Sequence, residues 1–177
     1  MKITLVRHGE TVYNQLGKMQ GRSNIPLTDE GRRQCKRLKE SIKDNKYDMC
    51  FSSPLIRTME TAMILVGDKV LITPDDRLIE RGIGELEGKF REEYDYKKYW
   101  DYKLNCGDKD VEKIQDLFKR CEDFINYLKK NHNGKNILIV THGATFRSLH
   151  HILYKTDRNT ELYDFNIKNC GYEEIKI

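Results

Sequence analysis

Lys2-Ile3-Thr4-Leu5-Val6 runs directly into Arg7-His8-Gly9-Glu10-Thr11. The first five residues are too few for a helix, and their apolar, β-branched character reads as a strand covered on both faces. The next five are charged, polar or glycine and read as the loop at the carboxyl end of that strand. The same pattern returns late in the chain, where Asn136-Ile137-Leu138-Ile139-Val140-Thr141 runs into His142-Gly143. Further short runs predict strands at 48–52, 69–72, 162–167 and 172–177. Longer segments of helical period lie between them. Thr28 with Asp29 and Glu30 starts a helix whose Cys35, Leu38 and Ile42 share one face. Ser53-Pro54 opens another, with Leu55, Met59, Ala62, Met63 and Val66 directed to the core. Val111, Ile114, Phe118, Cys121, Ile125 and Leu128 mark a longer helix, and 144–154 a last one. Doubly covered strands joined by crossover helices predict an α/β fold, a three-layer α/β/α sandwich. Its sheet is expected to be mostly parallel, of about six strands, with one edge strand antiparallel.

The chain of 177 residues suits one domain, 1–177, without a linker. Thirty-two Lys and Arg against 28 Asp and Glu leave a net charge of +4, too small an excess to argue for nucleic acid as a partner. No stretch has the length and apolarity of a signal peptide or a membrane span, so a cytoplasmic protein with no membrane partner is expected. The cysteines, at 35, 50, 106, 121 and 170, are five in number, and no two are separated by only two residues. That pattern argues for reduced thiols rather than disulfides or bound zinc.

Ligands of open α/β sheets collect outside the carboxyl ends of the strands. Three such ends here carry Arg7-His8, Ser52-Ser53-Pro54 with Arg57 one turn later, and His142. If these strands are neighbours, two imidazoles and two guanidinium groups converge on one pocket. Such a pocket suits phosphoryl transfer, in which the protein positions the group and stabilises charge spread over its oxygens. The planar fork of arginine binds two phosphate oxygens at once and stays charged. A neutral imidazole is a competent nucleophile, and nearby cations keep its lone pair free. Arg7 makes His8 the better candidate.

Plainer readings compete at each position. A lone histidine is usually a hydrogen-bonded core residue, and Arg57 alone would read as a surface residue. Two histidines at strand ends, each followed by glycine, weigh against the first of these. Glu80 stands among Glu85, Glu87, Glu92 and Glu93, any of which would be merely solvated. Asn14 and Gln20 serve a turn equally well. His150 and His151 point to different faces of the last helix, and His132 before Asn133-Gly134 reads as a solvated turn residue, so no metal site is expected. Other phosphatase chemistries lack their residues. Cys50 and Arg57 are one residue too far apart for a cysteine phosphatase loop, no Asp-x-Asp start follows the early strands, and no Gly-x-x-x-x-Gly-Lys nucleotide loop occurs.

Together these blocks resemble the histidine phosphatase, or phosphoglycerate mutase-like, superfamily. The resemblance runs from Arg7-His8-Gly9-Glu10-Thr11 through Asn14, Gln20-Gly21 and Leu27-Thr28-Asp29-Glu30-Gly31 to Ser52-Ser53-Pro54-Leu55-Ile56-Arg57-Thr58 and Thr61-Ala62. It resumes at Glu80, Gly84 and Glu87-Gly88 and closes at Val140-Thr141-His142-Gly143. It implies that His8 is phosphorylated and that Arg7, Arg57 and His142 hold the phosphate oxygens. By the same match Glu80 is the general acid, Asn14 adds a phosphate contact, and Gln20, Gly21 and Gly143 belong to the substrate site. No cofactor is implied. The expected partner is a small-molecule phosphate ester, hydrolysed without metal.

Substrate choice is expected to come from variable segments. The aromatic-rich stretch 90–102, with Tyr94, Tyr96, Tyr99, Trp100 and Tyr102, reads as an amphipathic helix or as a lid over the pocket. Relatives usually carry a Pro-Gly-Gly-Glu-Ser loop where this chain has Asn105-Cys106-Gly107-Asp108-Lys109. The short chain favours hydrolysis over a phosphoglycerate mutase-type phosphotransferase. A non-catalytic phosphate-binding protein is the alternative from a different class, and the set His8, Arg57, Glu80 and His142 argues against it.

Overall fold

In the computed structural model, which describes residues 1–177, the first strand β1 spans Lys2–Arg7. The short helix α1 (Val12–Gln15) and helix α2 (Asp29–Ser41) follow, then β2 (Met49–Ser52), α3 (Ile56–Val66) and β3 (Ile72–Pro74). Beyond these lie α4 (Tyr96–Trp100), α5 (Ile114–Asn131), β4 (Asn136–Thr141), α6 (Gly143–Leu153) and β5 (Tyr172–Lys176). The five strands form one sheet in the order β3-β2-β4-β1-β5. All neighbours are parallel except the edge pair β1 and β5, which is antiparallel.

Register is what positions the site. Lys2 pairs with Asn136 and Arg7 with Thr141, so the next residues on the two strands, His8 and His142, emerge side by side. Ser52 pairs with Val140, and the Ser53 amide continues the ladder by donating to the Val140 carbonyl at 3.1 Å. Alternate residues of the central strands face opposite layers. Ile3, Leu5, Phe51, Ile137 and Ile139 pack with Leu117, Phe118 and Phe124 of α5 and Phe146 and Leu149 of α6. Val6, Cys50, Leu138 and Val140 pack with Leu38 of α2 and Ala62, Leu65 and Val66 of α3. Each such aliphatic or aromatic side chain stabilises the fold by about 1.5–3 kcal/mol, so the two cores hold the strand ends rigidly. Thr28 starts α2 by accepting the Gly31 amide, as its sequence signal predicts.

Several boundaries differ from the sequence expectations. The run 162–167 is not a strand, which leaves five strands in place of six. Its carbonyls are claimed by cations instead: Phe165 accepts from Arg147 and Ile167 from Arg7. The strand expected at 69–72 begins at Ile72, because Gly67 (φ +57°) ends α3 and a 3-10 turn occupies Gly67–Lys69. Met63 lies off the buried stripe of α3 and is 61% exposed. Val111 precedes α5 and makes a bridge with Ile83. His132 is half-buried, with Nε2 3.2 Å from the Tyr127 hydroxyl and its ring against Phe51. No helix is long and apolar enough to cross a membrane.

Candidate active site

His8 and His142 stand with ring centroids 5.2 Å apart at the carboxyl ends of β1 and β4, both buried. His8 Nδ1 lies 2.6 Å from the Gly9 carbonyl, which can only accept, so Nδ1 carries the proton. Nε2 is left with a free lone pair and no protein partner, and His8 lines the cavity. Burial, then Arg57 and Arg7, holds His8 well below the ordinary imidazole pKa. His142 is held low by burial and then chiefly by Arg57. Its Nδ1 accepts the Arg57 Nε–H at 3.1 Å, so Nε2 carries the proton and donates to the Ser53 hydroxyl at 2.7 Å.

Arg57 is fully buried at the start of α3, which places it between β2 and β4. Besides His142 it donates to the Gly21 carbonyl at 2.9 Å and the Ser23 carbonyl at 2.7 Å. These use three of its five N–H groups. Burial lowers both Arg57 and Arg7 to about 10, with Glu80 opposing, so both remain charged at neutral pH. Arg7 donates to the Ile167 carbonyl, and its buried Nε has no partner.

Glu80 sits across the cavity at the N-terminus of α6. Its carboxylate accepts the Ala144 and Thr145 amides at 3.1 and 3.2 Å and the Arg81 amide at 2.9 Å. A helix N-terminus is a natural seat for an anionic oxygen. Of the neighbouring acids, Glu87 is engaged elsewhere, accepting from the Arg22 amide and the Ser23 hydroxyl. Asn14 and Gln20 share in one network with Thr11. The Asn14 Oδ1 accepts the Thr11 amide, closing α1's capping box, and Gln20 Oε1 accepts the Thr11 hydroxyl at 2.8 Å. Both line the cavity, as do Gly21 and Gly143. Gly21 has φ +50°, and a Cβ there would lie 2.3 Å from Glu87 Oε1, so glycine is required.

All nine residues singled out in the sequence therefore lie in or directly behind one cavity of about 130 Å³. Others were not singled out. Asn169 donates to the His8 carbonyl at 3.1 Å, the Gly9 carbonyl at 3.2 Å and Asn14 Oδ1 at 3.1 Å, across 155 or more residues of sequence. No local pattern signals it. Arg147, five residues after His142, is buried against the Trp100 ring at 4.4 Å. A cation on the apolar helix that follows a strand-end histidine was its available signal. Arg81 turns inward, donates to the Glu112 carbonyl and the Tyr94 hydroxyl, and keeps a buried Nη2 without a partner. No group of three or more His, Cys, Asp or Glu side chains is placed to hold a metal ion.

An α/β sheet that presents two low-pKa imidazoles, one buried guanidinium group and one half-buried one at adjacent strand ends defines a phosphate-handling protein. The chain belongs to the histidine phosphatase superfamily (branch 1), which it matches over residues 3–177. It is 35% identical over 178 residues to the uncharacterized phosphatase PhoE of Bacillus subtilis, covering 98% of this chain and 90% of that one. It is 33% identical over 170 residues to phosphoglycerate mutase-like protein 4 of Arabidopsis thaliana, covering 90% and 74%. Among solved structures, a phosphoserine phosphatase mutant from Entamoeba histolytica in complex with phosphoserine matches with a TM-score of 0.85 at 32% identity, covering 98% of this chain and 89% of that one.

Proposed function

We propose that this protein hydrolyses a small phosphate monoester through a phosphohistidine on His8, without a metal ion. The observation that carries the reading is the His8 tautomer, with Nδ1–H fixed on the Gly9 carbonyl and Nε2 unprotonated at the cavity. In the first step Nε2 bonds to phosphorus as the ester P–O bond breaks, and Glu80, having taken the proton of the bound phosphate monoanion, gives it to the departing oxygen. In the second, water attacks phosphorus, the P–N bond breaks, and Glu80 takes the proton back. Arg7 and Arg57 carry the charge of the transferring group, His142 adds a hydrogen bond once its Nε2–H turns from Ser53 to the phosphoryl oxygens, and Asn14, Gln20, Gly21 and Gly143 shape the seat.

The cavity wall beyond the phosphate seat favours an ester that bears a further anionic group. Lys18, Arg81, Arg91 and Arg147 line it, and Glu80 is the one carboxylate there. The Arg81 Nη2 without a partner marks where a second anion would be bound. The Entamoeba relative's ligand, phosphoserine, carries a carboxylate and supports the same reading.

Rapid quenching with a labelled ester, in excess chelator, tests the chemistry. An acid-labile, alkali-stable phosphoenzyme is expected in the wild type and none in His8→Ala, with the label passing to water. Transfer to a second hydroxyl would make the protein a mutase, and absolute dependence on a divalent cation would refute the mechanism. Phosphoserine should be preferred over glycerol phosphate; the reverse order would remove the second-anion reading alone.

A further inference from the structure

Cys35 and Cys170 are 135 residues apart in sequence, yet their Sγ atoms are 3.4 Å apart. Cys35 is fully buried on the inner face of α2, and Cys170 is half-buried in the turn before β5. The pair lies directly beneath the loop that carries His8. A Cβ at Gly9 would lie 2.8 Å from Cys35 Sγ, and the Gly9 amide donates to Thr61 Oγ1, which also receives Cys35 Sγ at 3.6 Å. From the other side, the Cys170 amide is shared between the carbonyls of Arg7 and His8 at 3.1 and 3.2 Å. The preceding residue, Asn169, holds the carbonyls of His8 and Gly9.

We infer that Cys35 and Cys170 are a site of reversible oxidation, forming a disulfide that inactivates the enzyme by displacing the His8 loop. The oxidant is a hydroperoxide small enough to enter past Cys170. One sulfur attacks hydrogen peroxide, forming an S–O bond as the O–O bond breaks and water leaves. The second sulfur then attacks that sulfenic acid, forming the S–S bond and releasing a second water. Two thiols lose two electrons and two protons, and the peroxide accepts both.

The remaining thiols are poor competitors. Burial pushes Cys50 and Cys121 up to about 12, which leaves almost no thiolate. Within the pair, the thiol–thiol hydrogen bond holds Cys35 below its ordinary value and raises Cys170, so the first proton leaves from Cys35. Cys106 is reachable but stands away from the pair, donating to Asp108.

Closing the bond brings the sulfurs from 3.4 Å to about 2.05 Å. The packing leaves little slack to absorb that movement. Gly9 already abuts Cys35, and a Cβ at Gly31 on the same helix would lie 2.2 Å from the Glu10 carbonyl oxygen. The turn at 170 is bonded to the loop itself, so the shift passes to His8. A displacement on the order of 1 Å at a reacting group costs about a hundredfold in rate. This consequence rests on His8 as the nucleophile; formation of the disulfide does not.

The test uses the full chain in a Cys106→Ser background, treated with hydrogen peroxide. Peptide mass mapping is expected to show one cross-link, 35 to 170, with kcat falling about a hundredfold and returning on addition of dithiothreitol. Cys170→Ser, which keeps the backbone donor, and Cys35→Ala should each resist inactivation. Affinity for inorganic phosphate is measured in parallel and should fall on oxidation. That readout separates the two ideas, because an inactive reduced enzyme would refute the phosphatase reading while the cross-link and its effect on phosphate binding still report on the loop. Absence of the cross-link, a cross-link that changes neither rate nor phosphate affinity, or inactivation that persists in Cys170→Ser would each overturn the proposal.

Discussion

The loop after β1 and the segment from Phe90 to Trp100 face one another across the same cavity and are held in different ways. His8 is bonded through its side chain to Gly9, and its carbonyl is tied by Cys170 and Asn169. It follows a strand paired on both sides. The aromatic segment has one 3-10 turn and the five-residue α4, capped by Asp95. Backbone bonds tie only its start, through the Lys18–Phe90 bridge and the Arg91 amide on the Gly17 carbonyl; the rest is fastened by ring contacts, Tyr94 on Tyr96 and Tyr99, and Trp100 on Arg81 and Arg147. A floor fixed by backbone bonds suits chemistry that must not move, whereas a cover fixed by side chains changes by substitution without disturbing the sheet.

If that division is right, substitutions in the floor cost rate on every ester, and those in the cover change the ranking of esters. His8→Ala is the largest case, and turnover of all phosphate esters should fall to background. Residual, substrate-selective activity in a discontinuous phosphate-release assay would place the nucleophile elsewhere. Arg57→Ala comes next. It removes a buried donor that also orients His142, and it should cost about 3 kcal/mol of transition-state stabilisation, roughly a hundredfold in kcat, by a similar factor on every substrate. A loss confined to KM would mean that Arg57 holds ground state and transition state alike.

The same contrast explains what was legible in the sequence. His8, Arg57 and His142 were readable together because apolar runs announce parallel strands, and in-register parallel strands bring their carboxyl ends to one line. Glu80 lies in no regular element, and only the family pattern singled it out. Asn169 and Arg147 escaped notice because their roles depend on carbonyls and rings distant in sequence, which leave no periodicity. The false strand at 162–167 has the same origin. Its alternation of Leu162, Tyr163, Asp164, Phe165, Asn166 and Ile167 reads as a strand, but two guanidinium groups take the carbonyls that a ladder would need. Cys35 and Cys170 each read as an unpaired thiol until the fold set them together.

The dry floor also has a pH signature. His8 and His142 are depressed below their unfolded value of about 6.5, so the unfolded chain binds protons that the folded chain refuses. Their contribution to stability is full above about pH 6.5 and is lost as pH falls from there toward the folded values. The slope is at most about 1.4 kcal/mol per pH unit for each histidine. Thermal melts between pH 7.5 and 5 should therefore show a shallower decline for His142→Gln than for the wild type. Equal slopes would mean that His142 is not held neutral. Bound phosphate should flatten the wild-type slope, because its charge favours the imidazolium forms.

The smallest expected effect tests the cover itself. Trp100 is buried, with Arg147 4.4 Å from its ring on one contact and Arg81 5.4 Å on another. Its loss removes cation–π stabilisation of roughly 1–2 kcal/mol at a desolvated site and leaves the two guanidinium groups held by their hydrogen bonds alone. For Trp100→Ala, kcat/KM on an ester with a second anionic group should fall about tenfold, while an aryl phosphate without one changes little. Trp100→Phe keeps an aromatic face for the two cations and should recover most of the preference, which a general loss of folding would not allow. If both esters lose activity equally in Trp100→Ala, the aromatic segment supports the floor, and selectivity must then be sought in Lys18 and Arg91 at the rim.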